Sequence, residues 1–244
     1  MGSHGQGTPA FYALTPGGWR DYWTLLHPPY TIWHLSYVAL GAAIAPQFRM
    51  RWLLESLLAF FLAMGVAAHA LDELRGRPLR TRIPSGVLVG LAIAGLGVAV
   101  ALGVHGVAMA TPWLAVCIPV GVFLVVAYNL ELFGGLFHSD LWFSLAWGGF
   151  PVITAYLAQA GTLRVPAVLM AAGCAGLSAA QRVLSTPVRR LRRDVAEVRG
   201  TVIFHDGTRQ LLGAAALRAA PERALKLLSL TVPLLALAAV LARI

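Results

Sequence analysis

The sequence predicts a single all-α membrane domain over residues 1–244, a polytopic bundle of about seven transmembrane helices. Three observations carry this. Hydrophobic residues make up 58% of the 244-residue chain and charged residues only 12%, about half the share with which a soluble domain coats itself. Mean hydropathy is +0.73. Several apolar stretches reach the roughly 20 residues a helix needs to cross the hydrocarbon layer.

The turn-forming Pro28-Pro29 pair opens a first span over about Tyr30 to Ala45, with a start as far back as Trp23 also open. The second span covers about Trp52 to Leu74, the third Gly86 to Ala110 and the fourth Trp113 to Leu132. A Gly134-Gly135 break precedes the fifth, Ser139 to Ala160. The sixth runs from about Pro166 to Leu184 and is expected to stop before Pro187, because proline lacks the helical N–H and clashes with the preceding turn. The seventh covers about Ala224 to Ala242. The basic loop of about 187–222 is the only sizeable stretch outside the membrane. Within it, Thr201 to Phe204 followed by His205-Asp206-Gly207-Thr208 reads as a strand entering a tight turn. Met1 to Pro9 has neither an apolar core nor an Arg-rich amphipathic pattern, so no cleavable targeting signal is expected.

An odd number of spans puts the N-terminus and the loops after spans two, four and six on one side. That side holds fifteen of the 19 Lys and Arg residues: Arg20, then Arg75, Arg77, Arg80 and Arg82, then ten from Arg182 to Lys226. The positive-inside rule makes it cytoplasmic, in a multi-pass cell-membrane protein. The net charge of +9 then reflects topology and anionic lipid headgroups rather than nucleic acid. Cys117 and Cys174 lie in apolar runs without metal-ligand spacing and read as small hydrophobes, not as a disulfide.

Ionisable residues inside spans are costly and point to function. The second span ends His69-Ala70-Leu71-Asp72-Glu73, whose three- and four-residue spacings gather His69, Asp72 and Glu73 on neighbouring parts of one face. An imidazole and two carboxylates suit a divalent cation such as Mg²⁺; the bland alternative is a helix end pairing with loop arginines. His34 lies one to two turns inside the first span and is either a packing residue or a ligand-binding group. Tyr128, Asn129 and Glu131 close the fourth span, and His138 and Asp140 open the fifth. Arg182 falls in the last turn of the sixth, where a guanidinium suits bidentate phosphate contacts. The run Arg189 to Arg193 reads as a membrane anchor.

Four regions together carry a family resemblance: Tyr22 to Tyr30; the end of the second span into Gly76-Arg77-Pro78-Leu79-Arg80-Thr81-Arg82-Ile83-Pro84-Ser85-Gly86; Tyr128 through Trp147-Gly148-Gly149-Phe150-Pro151; and the sixth span with Gln181-Arg182. The chain resembles the UbiA superfamily of intramembrane prenyltransferases. That resemblance implies an enzyme taking an isoprenoid diphosphate and a lipophilic acceptor. In such enzymes two acidic motifs hold Mg²⁺ against the diphosphate. Here only Asp72 matches the first motif well, with His69 where an Asp is expected, and no acid lies between Ser178 and Arg193. The resemblance therefore implies at most one Mg²⁺ site on His69, Asp72 and Glu73, which would also carry catalysis. Arg80, Arg82 and Arg182 would contact the diphosphate, with His34, Tyr128, Asn129 and Asp140 lining the substrate cavity. Two other readings stay open: a non-catalytic binder of membrane lipid or a quinone, and a metal or haem site built from His34, His69 and His138.

Overall fold

The computed structural model describes residues 8–244, so most of the leader expectation, Met1 to Gly7, lies outside the described residues. After a short helix α1 (Trp19–Leu25), seven long helices are arranged in chain order: α2 (Pro28–Ala43), α3 (Met50–Leu74), α4 (Ser85–Met109), α5 (Leu114–Asn129), α6 (Asp140–Ala160), α7 (Val165–Arg193) and α8 (Ala214–Leu241). Five of them, α3, α4, α6, α7 and α8, are long and apolar enough to cross a membrane. The protein is thus an all-α membrane bundle. The 16 residues of α2 and of α5 give each a length of about 24 Å, short of a hydrocarbon layer of about 30 Å.

α2 packs most extensively against α6 and α8. Close approach depends on small residues. A Cβ on Gly148 of α6 would lie 2.7 Å from the α7 backbone at Cys174 and Ala175, and one on Gly41 of α2 would collide with the backbone of Val152. Small residues let membrane helices approach where no water is available to drive them together. Ile93, Leu169 and Leu235 face outward, as they should where the surrounding solvent is lipid.

Two helices carry internal π-turns, Phe61–Ala68 in α3 and Ser144–Gly149 in α6. A π-turn inserts residues into the 3.6 repeat and rotates the rest of the helix about its axis. His69 comes directly after the first and Trp147 lies within the second.

α7 departs from expectation by continuing through Pro187 to Arg193. The cause is one buried stripe at helical spacing, Ser178, Gln181, Ser185 and Val188, whose packing outweighs the roughly 3 kcal/mol a helical proline costs. α8 likewise begins ten residues before the expected Ala224, at Ala214, and runs through Pro221 and Pro233. A shielded pair at 2.5 Å, Arg192 to Glu222, ties its early turns to the end of α7. The loop between them holds the expected strand and turn as a hairpin of β1 (Gly200–Ile203) and β2 (Arg209–Leu212), registered Gly200 to Leu212. Its turn is closed by Asp206, whose carboxylate accepts from the backbone N–H and hydroxyl of Thr208 and is held below its ordinary pKa by those bonds.

Candidate functional site

A cavity of about 310 Å³ opens where the start of α2, the end of α3, the end of α5, the start of α6 and the end of α7 meet. Seven of the residues singled out in the sequence line it: His34, His69, Asp72, Tyr128, Asn129, His138 and Arg182. Four do not. Asp140 stands behind the wall, its carboxylate 2.7 Å from Arg182 Nε, and holds that guanidinium over the ring of Phe143. Glu73 is fully buried and turned into the following loop. It accepts from the backbone N–H of Leu79 at 2.9 Å, and from the N–H and hydroxyl of Thr81 at 2.8 Å each. Arg80 and Arg82 sit on that loop outside the lining. The Arg82 backbone N–H donates instead to Asp21, which is buried and also receives the N–H of Gly17.

The expected centre of His69, Asp72 and Glu73 is therefore not assembled. Glu73 uses both carboxylate oxygens on its own loop, and among the described residues no three His, Cys, Asp or Glu groups are arranged to hold an ion. The same holds for His34, His69 and His138, which share the cavity but do not converge on a point.

Residues beyond that set complete the wall. Arg189 and Arg193 continue the Arg182 face at steps of seven and eleven residues, close to two and three helical turns. Those spacings are in the sequence, but they share a face only if the helix passes Pro187. The N-terminal segment closes another side with Phe11 and Tyr12. It is fastened by Arg193 to the Pro9 carbonyl at 3.5 Å, by Lys226 over the Phe11 ring and by Tyr12 to His27 Nδ1 at 2.5 Å. His27 precedes α2 with a left-handed backbone, φ 46° and ψ 54°, unusual for a non-glycine residue. Its ring stacks on His69 with centroids 4.3 Å apart, and its Nε2 is buried without a partner among the described residues. Burial, then the neighbouring His69, Arg193 and Arg189, hold His27 well below the ordinary imidazole range.

The electrostatic balance is uneven. Three guanidinium groups face one carboxylate, Asp72. Arg182 is paired with Asp140, and Arg193 is tied to a carbonyl. Arg189 makes a 3.3 Å bond to the Thr186 hydroxyl and has no carboxylate partner among the described residues. Such a wall suits an anion with several oxygens. A second cavity of about 110 Å³ is lined almost wholly by apolar side chains of α3, α4, α5 and α6, among them Phe60, Met64, Leu96 and Phe150. Trp147 lines both cavities. A ligand with a charged head and an apolar tail fits this pairing. Comparison with known protein families, with curated proteins and with solved structures returned no significant match.

Proposed function

We propose that the protein is a membrane enzyme of isoprenoid-diphosphate chemistry, transferring a prenyl group to a lipophilic acceptor. The observation that carries this reading is a basic cavity and an apolar one that share Trp147 in their walls. The Arg182, Arg189 and Arg193 wall receives the diphosphate, and the apolar cavity takes the first part of the tail. In the reaction the allylic C–O bond breaks and the diphosphate leaves with the electron pair. Preorganised guanidinium groups in a water-poor site stabilise the charge developing on it. Arginine supplies this charge neutralisation. The bundle crosses the membrane seven times in this reading, and the cavity opens at the cytoplasmic side. Cysteines at Gly76 and Gly207 should then be labelled from the cytoplasm and one at Gln47 from outside; labelling of Gly76 and Gln47 from the same side would refute the crossing count.

The deciding experiment incubates purified protein in lipid with labelled farnesyl and geranylgeranyl diphosphates and a panel of acceptors, with and without Mg²⁺. Diphosphate release with a prenylated product supports the enzyme. Tight binding without product across the panel replaces it with a lipid-binding role.

A further inference from the structure

Two cavity histidines have their neutral-state proton already placed. His69 Nδ1 lies 3.0 Å from the Gly65 carbonyl, and His138 Nδ1 lies 2.9 Å from the Tyr128 carbonyl. A carbonyl only accepts, so each Nδ1 carries the hydrogen and each Nε2 is a bare lone pair. Neither Nε2 bonds to the protein among the described residues. His34 differs, for its Nε2 lies against Gln181 at 3.0 Å in a buried contact.

The two bare nitrogens are not equivalent. The His69 ring stacks on His27, so a proton gained there would sit against a second imidazole. The His138 ring stacks on the Tyr128 phenol at 4.4 Å, and an aromatic face attracts a cation. Asp72, the one carboxylate among the lining residues, borders the same space. The loop that carries His138 is also held in a costly shape. Glu131 and Phe133 adopt φ of 49° and 56°, conformations that cost about 1–3 kcal/mol each and persist only where the surroundings enforce them. Arg75 clamps the start of that loop through the Leu130 carbonyl at 3.1 Å and Glu131 at 2.8 Å. At its other end the Ser139 hydroxyl caps α6.

We infer that His138 is the proton acceptor of the site, acting on an acceptor molecule that carries a removable O–H or N–H proton. This rests on the prenyl-transfer reading above. As the acceptor heteroatom bonds to the allylic carbon and the diphosphate departs with the C–O electron pair, the acceptor's proton passes to His138 Nε2. The imidazolium so formed keeps its Nδ1–H on the Tyr128 carbonyl and returns the proton to water after release.

The first test needs no acceptor. Diethyl pyrocarbonate acylates an unprotonated imidazole nitrogen, so the full chain in lipid nanodiscs at neutral pH should be modified at His138 about as readily as at exposed His205. Bound geranylgeranyl diphosphate should slow modification of His138 at least about tenfold and leave His205 unchanged. An unreactive His138 in the free protein overturns the assignment even if the diphosphate binds, as does a His138 equally reactive with the diphosphate bound. A reactive His138 in a protein that binds no prenyl diphosphate ends the diphosphate reading instead, and the transfer step with it. The second test uses His138→Asn, which keeps an amide donor for the Tyr128 carbonyl and lacks the lone pair. Turnover should fall on the order of 10²- to 10⁴-fold, the usual share of a general base, with diphosphate affinity within about threefold of the parent. Imidazole in the buffer should restore part of the turnover of His138→Ala. Turnover of His138→Asn within about threefold of the parent overturns the role.

Discussion

The two ends of the bundle handle polar groups in opposite ways. At the end away from the cavity, side chains close on one another. Glu55 accepts from Arg51 at 2.8 Å and meets His105 at 3.1 Å. Gln159, buried in α6, both accepts from the Arg49 N–H and donates to its carbonyl. Arg243 caps the carbonyls of Ala45 and Pro46 just beyond α2. At the cavity end three arginines face one carboxylate, and the Nε2 atoms of His27, His69 and His138 have no partner among the described residues. The first end is polar chemistry that satisfies the fold, the second polar chemistry held for a ligand. One chain builds both, so the open end is not forced by the membrane.

The sharpest way to break that contrast lies within it, at two neighbouring acids. Asp72 lines the cavity, whereas Glu73 serves the loop that walls it. Glu73→Ala strands the buried N–H groups of Leu79 and Thr81 and the Thr81 hydroxyl, and should lower stability by about 3–5 kcal/mol. Asp72→Asn should change stability by less than about 1 kcal/mol, because its carboxylate is not an acceptor on which the fold depends. Unfolding midpoints in detergent check both. Equal losses in the two variants would show that the cavity carboxylate is structural too.

The next effect separates the two ends directly. Arg189→Ala should weaken geranylgeranyl diphosphate binding on the order of 10- to 100-fold, the worth of hydrogen bonds to a charged group. Binding should survive a chelator, since arginine supplies the charge. Arg51→Ala at the far end should leave affinity unchanged. Titration calorimetry in nanodiscs measures all three.

Legibility in the sequence divides along the same line. Hydropathy, punctuated by Pro28-Pro29 and Gly134-Gly135, places α2 to α6 within a few residues, because an apolar run must be helical in lipid whatever it packs against. Convergence at the cavity is legible only where a residue lies at the right depth in a span, as with His34, His69, Tyr128 and Arg182. The choice between Asp72 and Glu73 is not, since adjacent helical positions differ by about 100° and either could face inward. Arg189 and Arg193 were hidden by Pro187, whose local cost suggests a helix end that packing overrides. His27 was hidden because it lies in no periodic element. Its stack on His69 exists only through the left-handed turn between α1 and α2.

A smaller effect sharpens the contrast through pH. His27 is held neutral by burial and by the cations and imidazoles around it, namely His69, His34, Arg189 and Arg193. Its folded pKa lies below the unfolded value of about 6.5, so between the two the unfolded chain binds more protons and stability rises with pH. The stability it contributes is complete above about pH 6.5 and is lost on acidification, at up to about 1.4 kcal/mol per pH unit. His27→Phe, which keeps a stacking ring, should flatten that slope in unfolding curves taken from pH 7 to pH 5. An unchanged slope would mean the imidazole titrates alike in the folded and unfolded chain.

The smallest expected effect tests whether the far end is as closed as its bonds suggest. The Arg51 side chain is 60% exposed and Glu55 24%, so the i, i+4 pair is largely screened and worth about 0.3–0.5 kcal/mol. His105 supplies Glu55 with a second partner, so Arg51→Ala leaves the carboxylate paired rather than stranded. The Arg51 guanidinium also lies 5.0 Å over the Trp52 ring, a contact worth about 0.5–1 kcal/mol at an exposed site. The variant should therefore lose no more than about 1–1.5 kcal/mol, and raising the salt concentration should remove part of the ion-pair share. Arg51→Lys keeps the charge but gives up the planar fork, and should recover about half of the loss. A loss above about 3 kcal/mol in Arg51→Ala would mark the far-end cluster as a desolvated network, comparable to the Glu73 loop, and would overturn its reading as a screened surface pair.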